Sequence, residues 1–279
     1  MTDTARIAIR DARRSLAAAA RRTSELIGSL DMDLRVRGSE WTVGDTAAHL
    51  IIALRGFTHS VTGDDREWHH WQDQIPNART SERVAVMNRF TIAAEPPRSP
   101  TAAAAAITQG ADAFLAATNS LSPGQAVPTP WYGESDSLTV AEATCLLLGE
   151  QVLHGYDVAK AARRRWPISK QDALLIFDAV HQMMPKMADP DTLRDVSATY
   201  EIRLGLSNRF VIRVADGAAV IEPCAGQRIH CHVLAEPVAM LLLGYGRTNQ
   251  WQAIGTAKMI TWGRKPWMAF RLTSFFSHP

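Results

Sequence analysis

A chain of 279 residues, 46% hydrophobic and 21% charged, carries enough apolar material for two ordinary cores. Its net charge of +2 argues against nucleic acid as the main partner, and three scattered cysteines (Cys145, Cys224, Cys231) exclude a disulfide framework. No apolar run reaches the ~20 residues that cross a bilayer, and MTDTARIAIRDARRS is too charged for a secretory leader, so a cytoplasmic protein with no membrane partner is expected.

The first half is alanine-rich and helical in pattern. Residues 4–30 read as one helix, with Arg6, Arg10, Arg13, Arg14, Arg21 and Arg22 on a solvated face around Ile7, Leu16 and Leu26. Only five of the 30 basic residues are lysine, a bias typical of a high-GC genome. SEWTVGDTAAHLIIAL starts a second helix: Thr42 is a natural N-cap, and Asp45 three residues on completes a variant of the capping box. Residues 63–79, which contain WHHW (68–71), read as a polar loop whose aromatics are exposed or line a pocket entrance. Helical pattern resumes over 80–94 and stops at EPPRSP, because proline cannot continue it. TAAAAAITQGADAFLAATNSL is the next helix, SPGQAVPTPWYGESDS a long loop, and a further helix covers about 138–163. These elements sum to a helical bundle with up-and-down connections.

Beyond Trp166-Pro167 the pattern changes. ISKQDALLIFDAVHQMMPKM is a helix; SATYEIRLGL, FVIRVAD, AAVIEP and RIHCHVLA are then short, nearly alternating apolar runs separated by turn residues. EPVAMLLLGYG reads as a helix ending in glycine, followed by AKMITWG and a last helix near 266–276. The expected fold is α followed by α+β: a four-helix bundle over 1–165, then a small domain over 166–279 built on an antiparallel sheet.

The stretch LLLGEQVLHGYDVAKA (146–161) is an apolar helix with three chemical groups in its middle. Glu150 and His154 are four apart and project from one face, so they can chelate a divalent cation, although such pairs also arise by chance. His49 lies early in the helix capped by Thr42, among apolar neighbours. A histidine there is either a satisfied core residue or a ligand turned into the bundle. Two imidazoles and one carboxylate are the ligand set of hydrolytic zinc sites with an open fourth position; iron and nickel accept the same donors. Asp157, three after His154, reads as a partner for an imidazole N–H or as a helix-surface polar. CAGQRIHCH offers Cys224, His230, Cys231 and His232, but on a strand Cys231 faces away from both histidines. No GxGxxG, Walker or GxSxG pattern is present, which removes the usual support for nucleotide cofactors and serine hydrolysis.

WTVGDTAAHL (41–50) together with GEQVLHGYDVA (149–159) resembles the mycothiol-dependent maleylpyruvate isomerase family, within the DinB-like four-helix bundles. AEPVAMLLLGYGR and GRKPWMAF are similar to the sterol carrier protein-like C-terminal domain of that family. The resemblance implies a divalent metal, zinc foremost, on His49, Glu150 and His154, with mycothiol as thiol cosubstrate. It departs where an arginine often precedes the glutamate, since EATCLLLGE has none. A coordinated thiol is deprotonated. The thiolate can add to an activated double bond, permit rotation and leave again, which is isomerisation; without the elimination the same site transfers a thiol. An anionic substrate would need a cation. Arg247 (GYGRTNQ) and Arg264 (WGRKPW) follow glycines at element ends, where they either reach an inter-domain crevice or lie on surface turns. Expected partners are a small-molecule substrate and the thiol, with the protein a monomer or homodimer. The rival expectation is a binding module that holds a lipid or sterol-like ligand in the C-terminal domain.

Overall fold

The computed structural model describes residues 3–205 and 208–276. The chain divides into two units, Met1–Ile168 and Ser169–Pro279, the first helical and the second a sheet backed by helices. No helix among the described residues is long and apolar enough to cross a membrane.

In the first unit α1 (Asp3–Ile27), α2 (Val43–Thr62), α3 (Arg66–Trp71), α4 (Thr80–Ala94), α5 (Pro100–Ala117) and α6 (Val140–Ala161) follow in chain order. A small hairpin of β1 (Ala126–Pro128) and β2 (Ser137–Thr139) precedes α6. Helices α1 and α2 each pack on both α5 and α6, and α4 lies against α2. Leu16, Leu50, Leu54, Ile107, Phe114 and Leu147 have no accessible surface in this core. Capping fixes where α2 and α6 begin. The Thr42 hydroxyl accepts from the Asp45 N–H at 3.1 Å while the Asp45 carboxylate accepts from the Thr42 N–H at 2.8 Å. Thr139 and Glu142 repeat the arrangement at the start of α6, with distances of 3.2 and 2.7 Å.

The expected loop over 63–79 instead contains α3 and a 3-10 turn, Gln72–Gln74. Helix α3 has six residues, no side-chain cap and no fully buried residue, so neither capping nor amphipathic spacing announces it. The arginine face of α1 is also not wholly solvated. Arg10, Arg14 and Arg21 are exposed, but Arg13 donates to the Leu115 and Thr118 carbonyls. Arg22 lies 4.2 Å above the Trp166 ring and donates to the Pro167 carbonyl at 2.9 Å. The side chains of Arg6 and Ile7 lie outside those described. Trp166 in turn packs against Gly155 of α6, where a Cβ would sit 2.2 Å from Cζ2 of the indole, and its Nε1–H donates to the Val152 carbonyl at 3.0 Å. A glycine is required at Gly155 by this close approach.

The second unit comprises α7 (Lys170–Met183), α8 (Pro190–Leu193), β3 (Ala198–Leu204), β4 (Asn208–Ala215), β5 (Ala218–Glu222), β6 (Cys231–Ala235), α9 (Pro237–Gly244), α10 (Gln250–Gly255) and β7 (Met259–Trp262). Its strands form one sheet in the order β5-β4-β3-β6-β7. Asp216 and Gly217, both at positive φ, make the two-residue turn between β4 and β5. The sheet is not purely antiparallel, as the sequence suggested: β3 and β6 pair in parallel, with Tyr200 opposite Cys231 and Glu201 opposite His232. Residues 223–230 return the chain along the sheet without a crossover helix, the usual sequence mark of a parallel pair. Tyr200, Ile202, Ile212, Cys231 and Val233 form the buried face, and the last segment, Pro266–Phe275, is 3-10 rather than α-helix.

Candidate metal centre

The two capped helices bring His49 of α2 and the Glu150–His154 pair of α6 together. One carboxylate oxygen, Glu150 Oε2, lies 2.9 Å from His49 Nε2 and 3.2 Å from His154 Nε2. One ligand atom from each of the three residues falls within 4.8 Å of the others. For bonds of ~2.0 Å, the edge of a tetrahedron is about 3.3 Å. The three donors are thus nearly spaced for an ion, and both nitrogens and the oxygen are of the kind that zinc, iron or nickel accepts.

Burial alone would raise the Glu150 carboxyl, but the hydrogen bonds from His154 and His49 outweigh it and hold the group well below the ordinary carboxylate range. The carboxylate therefore stays ionised and available as a ligand. Trp41, the residue before the N-cap, walls the cluster on one side. Its ring centroid is 5.0 Å from that of His49 and stacks at 5.7 Å on that of His154, and the two imidazoles meet edge to face at 4.8 Å. Such contacts restrict both rings. This role of Trp41 was not drawn from the sequence, where the only signal is its place one residue ahead of a strong cap.

A cavity of about 390 Å³ opens from His49 and Glu150 and runs between α2, α3, α4 and the loop 128–132. Trp68, His69 and Trp71 of the WHHW stretch are in its wall, as is Trp131. Sequence patterns could not assemble this wall, because its pieces span residues 49–150.

Of the other expected site residues, Asp157 shares α6 with the ligand pair and the two arginines belong to the second unit. Asp157 is half-buried on α6, three residues beyond His154. Arg247 and Arg264 belong to the second unit. Arg247 donates to the Tyr245 carbonyl at 2.7 Å and lies 5.7 Å from that residue's ring, and Arg264 is exposed on the turn after β7.

The second unit has a different polar cluster. Glu201 of β3 has no accessible side-chain surface and accepts from His232, Arg203 and Arg209, with the Cys224 thiol 3.5 Å away. Desolvation would raise its carboxyl, but these donors, His232 and Arg203 foremost, bring it down to about 2. His232 stacks on Trp262 at 5.2 Å. Cys231 points to the opposite, buried face, and His230 Nδ1 accepts from the Thr199 N–H, so the four residues of CAGQRIHCH do not converge.

The profile of the family described as "Mycothiol maleylpyruvate isomerase N-terminal domain" matches residues 10–159. Among solved structures, that of the mycothiol-dependent maleylpyruvate isomerase aligns with a TM-score of 0.49 and 11% identity, covering 87% of this chain and 90% of that one. A histidine-to-alanine mutant of the mycothiol-dependent maleylpyruvate isomerase aligns with a TM-score of 0.51 and 12% identity, covering 86% and 90%. At such identity the likeness concerns the fold, helices first and a sheet unit second. No curated protein matches the sequence.

Proposed function

The chain belongs to the mycothiol maleylpyruvate isomerase N-terminal domain family, and from that premise we propose that it is a metal-dependent enzyme that activates mycothiol to isomerise, or to modify, a small electrophile. In this reading residues 1–165 are a DinB-like bundle with the metal in its core, and 166–279 are a sterol carrier protein-like domain. The observation that carries it is the convergence of His49, Glu150 and His154 beside a cavity of about 390 Å³ that His49 and Glu150 help to line.

His49, Glu150 and His154 would hold the ion, and zinc bound there would supply a Lewis acid that lowers the pKa of a thiol below neutrality. The residues of the chain do the rest. Glu150 stays ionised because two imidazoles face it. Trp41 keeps both rings in place from one side, and Asp157 would accept an imidazole N–H, which would favour the tautomer with a free ring nitrogen. The aromatic wall lines the approach to the reacting centre with apolar surface. A thiolate adding to a conjugated double bond makes a carbon–sulfur bond, leaves a single bond about which the substrate turns, and departs with its electron pair. No net oxidation occurs.

Arg247 and Arg264 are the second unit's candidates for binding an anionic substrate group, and alanine variants of each measure whether either is used. The decisive experiment is elemental analysis of the purified protein beside His154→Ala, followed by turnover with mycothiol. About one zinc, iron or nickel per chain, lost in the variant together with thiol-dependent turnover, supports the reading. No metal in the wild type even after reconstitution overturns it.

A further inference from the structure

The cavity that ends at His49 and Glu150 has an unusual wall for an enzyme of small acids. Four carboxylates line it, Asp64, Asp65, Glu67 and Glu150, and among the described residues that line it there is no lysine or arginine. The guanidiniums nearby are paired with two of these carboxylates. Arg55 forks onto Glu67 at 2.7–3.2 Å and reaches Glu95 at 3.1 Å, while Arg66 pairs with Asp64 at 2.6 Å. The imidazoles that line the space also face carboxylates: His49 meets Glu150 at 2.9 Å, and His69 meets Asp65 at 3.1 Å. A divalent ion on His49, Glu150 and His154 would offset part of this charge at one end only.

The remainder of the surface is aromatic and apolar. Trp131 is the centre, with Phe57 edge-on at 5.1 Å, Trp68 at 6.4 Å and Tyr132 at 5.9 Å between ring centroids. Such rings take another flat ring edge to face, and their faces attract cations. His59, also in the wall, turns its Nδ1 to Glu67 Oε2 at 3.3 Å.

We propose that the substrate of this site is a flat aromatic or conjugated molecule without a carboxylate, uncharged or cationic, seated against Trp131 and Trp68. Among the residues that line this space a dicarboxylate would find no lysine or arginine, and it would meet Asp65 and Glu150, which face imidazoles and not guanidiniums. This assignment rests on the metal–thiol reading for the reaction, which stays addition and expulsion of the same thiolate, but its binding half stands on the cavity alone.

The test is calorimetric titration of the full-length protein, chelated and zinc-loaded, with three probes of one shape and different charge: 2-naphthamide, 2-naphthamidine and 2-naphthoate. The amide and amidine are expected to bind at least tenfold more tightly than the carboxylate to the chelated protein, and Trp131→Ala to weaken both at least tenfold. Trp68→Leu serves the same purpose should Trp131→Ala fail to fold. Equal or tighter binding of naphthoate to the chelated protein overturns the assignment, as does absence of binding by all three. Saturable mycothiol-dependent turnover of maleylpyruvate by the zinc form, with no turnover of neutral conjugated electrophiles, also overturns it while leaving the thiol-enzyme reading intact. Charge-selective binding without thiol-dependent turnover of any electrophile leaves the cavity assignment standing and removes the thiol reading instead.

Discussion

Each unit holds a carboxylate ringed by imidazole or guanidinium donors, Glu150 in the first and Glu201 in the second, and the two rings differ in a way that separates a metal site from a structural one. Glu150 has 27% of its side chain accessible, two imidazoles as partners and a cavity on its open side. Glu201 has none accessible and is closed in by His232, Arg203 and Arg209. Both carboxyls lie below the ordinary range although desolvation pushes the other way. The partners decide what can replace them. A neutral imidazole offers a lone pair, so a cation can enter between Glu150 and its histidines; a guanidinium offers only N–H donors and keeps its charge. An ion at Glu201 would meet two permanent positive charges and no open side.

The largest effect that tests this contrast is on bound metal. Glu150→Ala should abolish zinc retention through desalting, and Glu201→Ala should leave it at the wild-type ratio, both read by elemental analysis. The same pair inverts in stability. Losing Glu201 leaves guanidiniums and an imidazole without their shared acceptor, which costs about 3 kcal/mol in urea unfolding, the low end for a broken buried pair because Arg203 and Arg209 are 39% and 52% exposed. Equal zinc loss in the two variants would erase the distinction between the clusters.

Next in size is Gly155→Ala, beside His154. The added Cβ would overlap an indole held from two sides, by the Val152 carbonyl and by Arg22. Overpacking of this kind costs about 2 kcal/mol, and zinc affinity should fall with it because the backbone that must move carries a ligand. A variant as stable as wild type would mean that Trp166 can leave without loss.

These sites were unequally legible in the sequence. The start of α2 could be read because Thr42 and Asp45 cap it locally, and the Glu150–His154 pair because four residues make one helical turn. That His49 meets this pair depends on α2 packing against α6, which no local pattern encodes. WHHW could be read as exposed or lining a pocket entrance, and Trp68 does line the cavity, but the contacts of Trp41, Trp68 and Trp131 join distant segments and were not legible for that reason. In the second unit the alternation of strands was plain, but the parallel pairing of β3 with β6 was not, as the return over 223–230 has no helix. Glu201 reads as one polar residue in an alternating strand; its partners Arg209 and His232 come from β4 and β6.

Acid should unsettle the second unit in two windows. Burial pushes the His181 imidazole, packed 4.2 Å from Phe210, from 6.5 down to about 4. The unfolded chain therefore binds that proton first, and stability is lost as pH falls from 6.5 through 4. Glu201, lowered from 4.5 to about 2, contributes stability that is complete above 4.5 and lost as pH falls through 2. Urea unfolding across pH should show the upper slope vanish in His181→Leu and the lower one in Glu201→Gln. A slope unchanged in its variant would assign the acid sensitivity elsewhere.

The smallest effect concerns Gln151, the neighbour of Glu150, which sharpens the contrast from within one helix. Its side chain has no accessible surface, and neither its amide nitrogen nor its amide oxygen has a hydrogen-bond partner, although its backbone carbonyl accepts from the Thr23 hydroxyl at 3.0 Å. Desolvating an amide without compensation is unfavourable, and removing the polar atoms while keeping the volume relieves it. Gln151→Met should therefore raise unfolding stability by about 1 kcal/mol with zinc content unchanged, since the residue faces away from the ligand pair one position before it. Loss of stability would show that the amide is satisfied, by water held between α1 and α6. Loss of zinc would show that the metal site extends beyond His49, Glu150 and His154, and that a polar residue next to a ligand was retained for the ion and not for the fold.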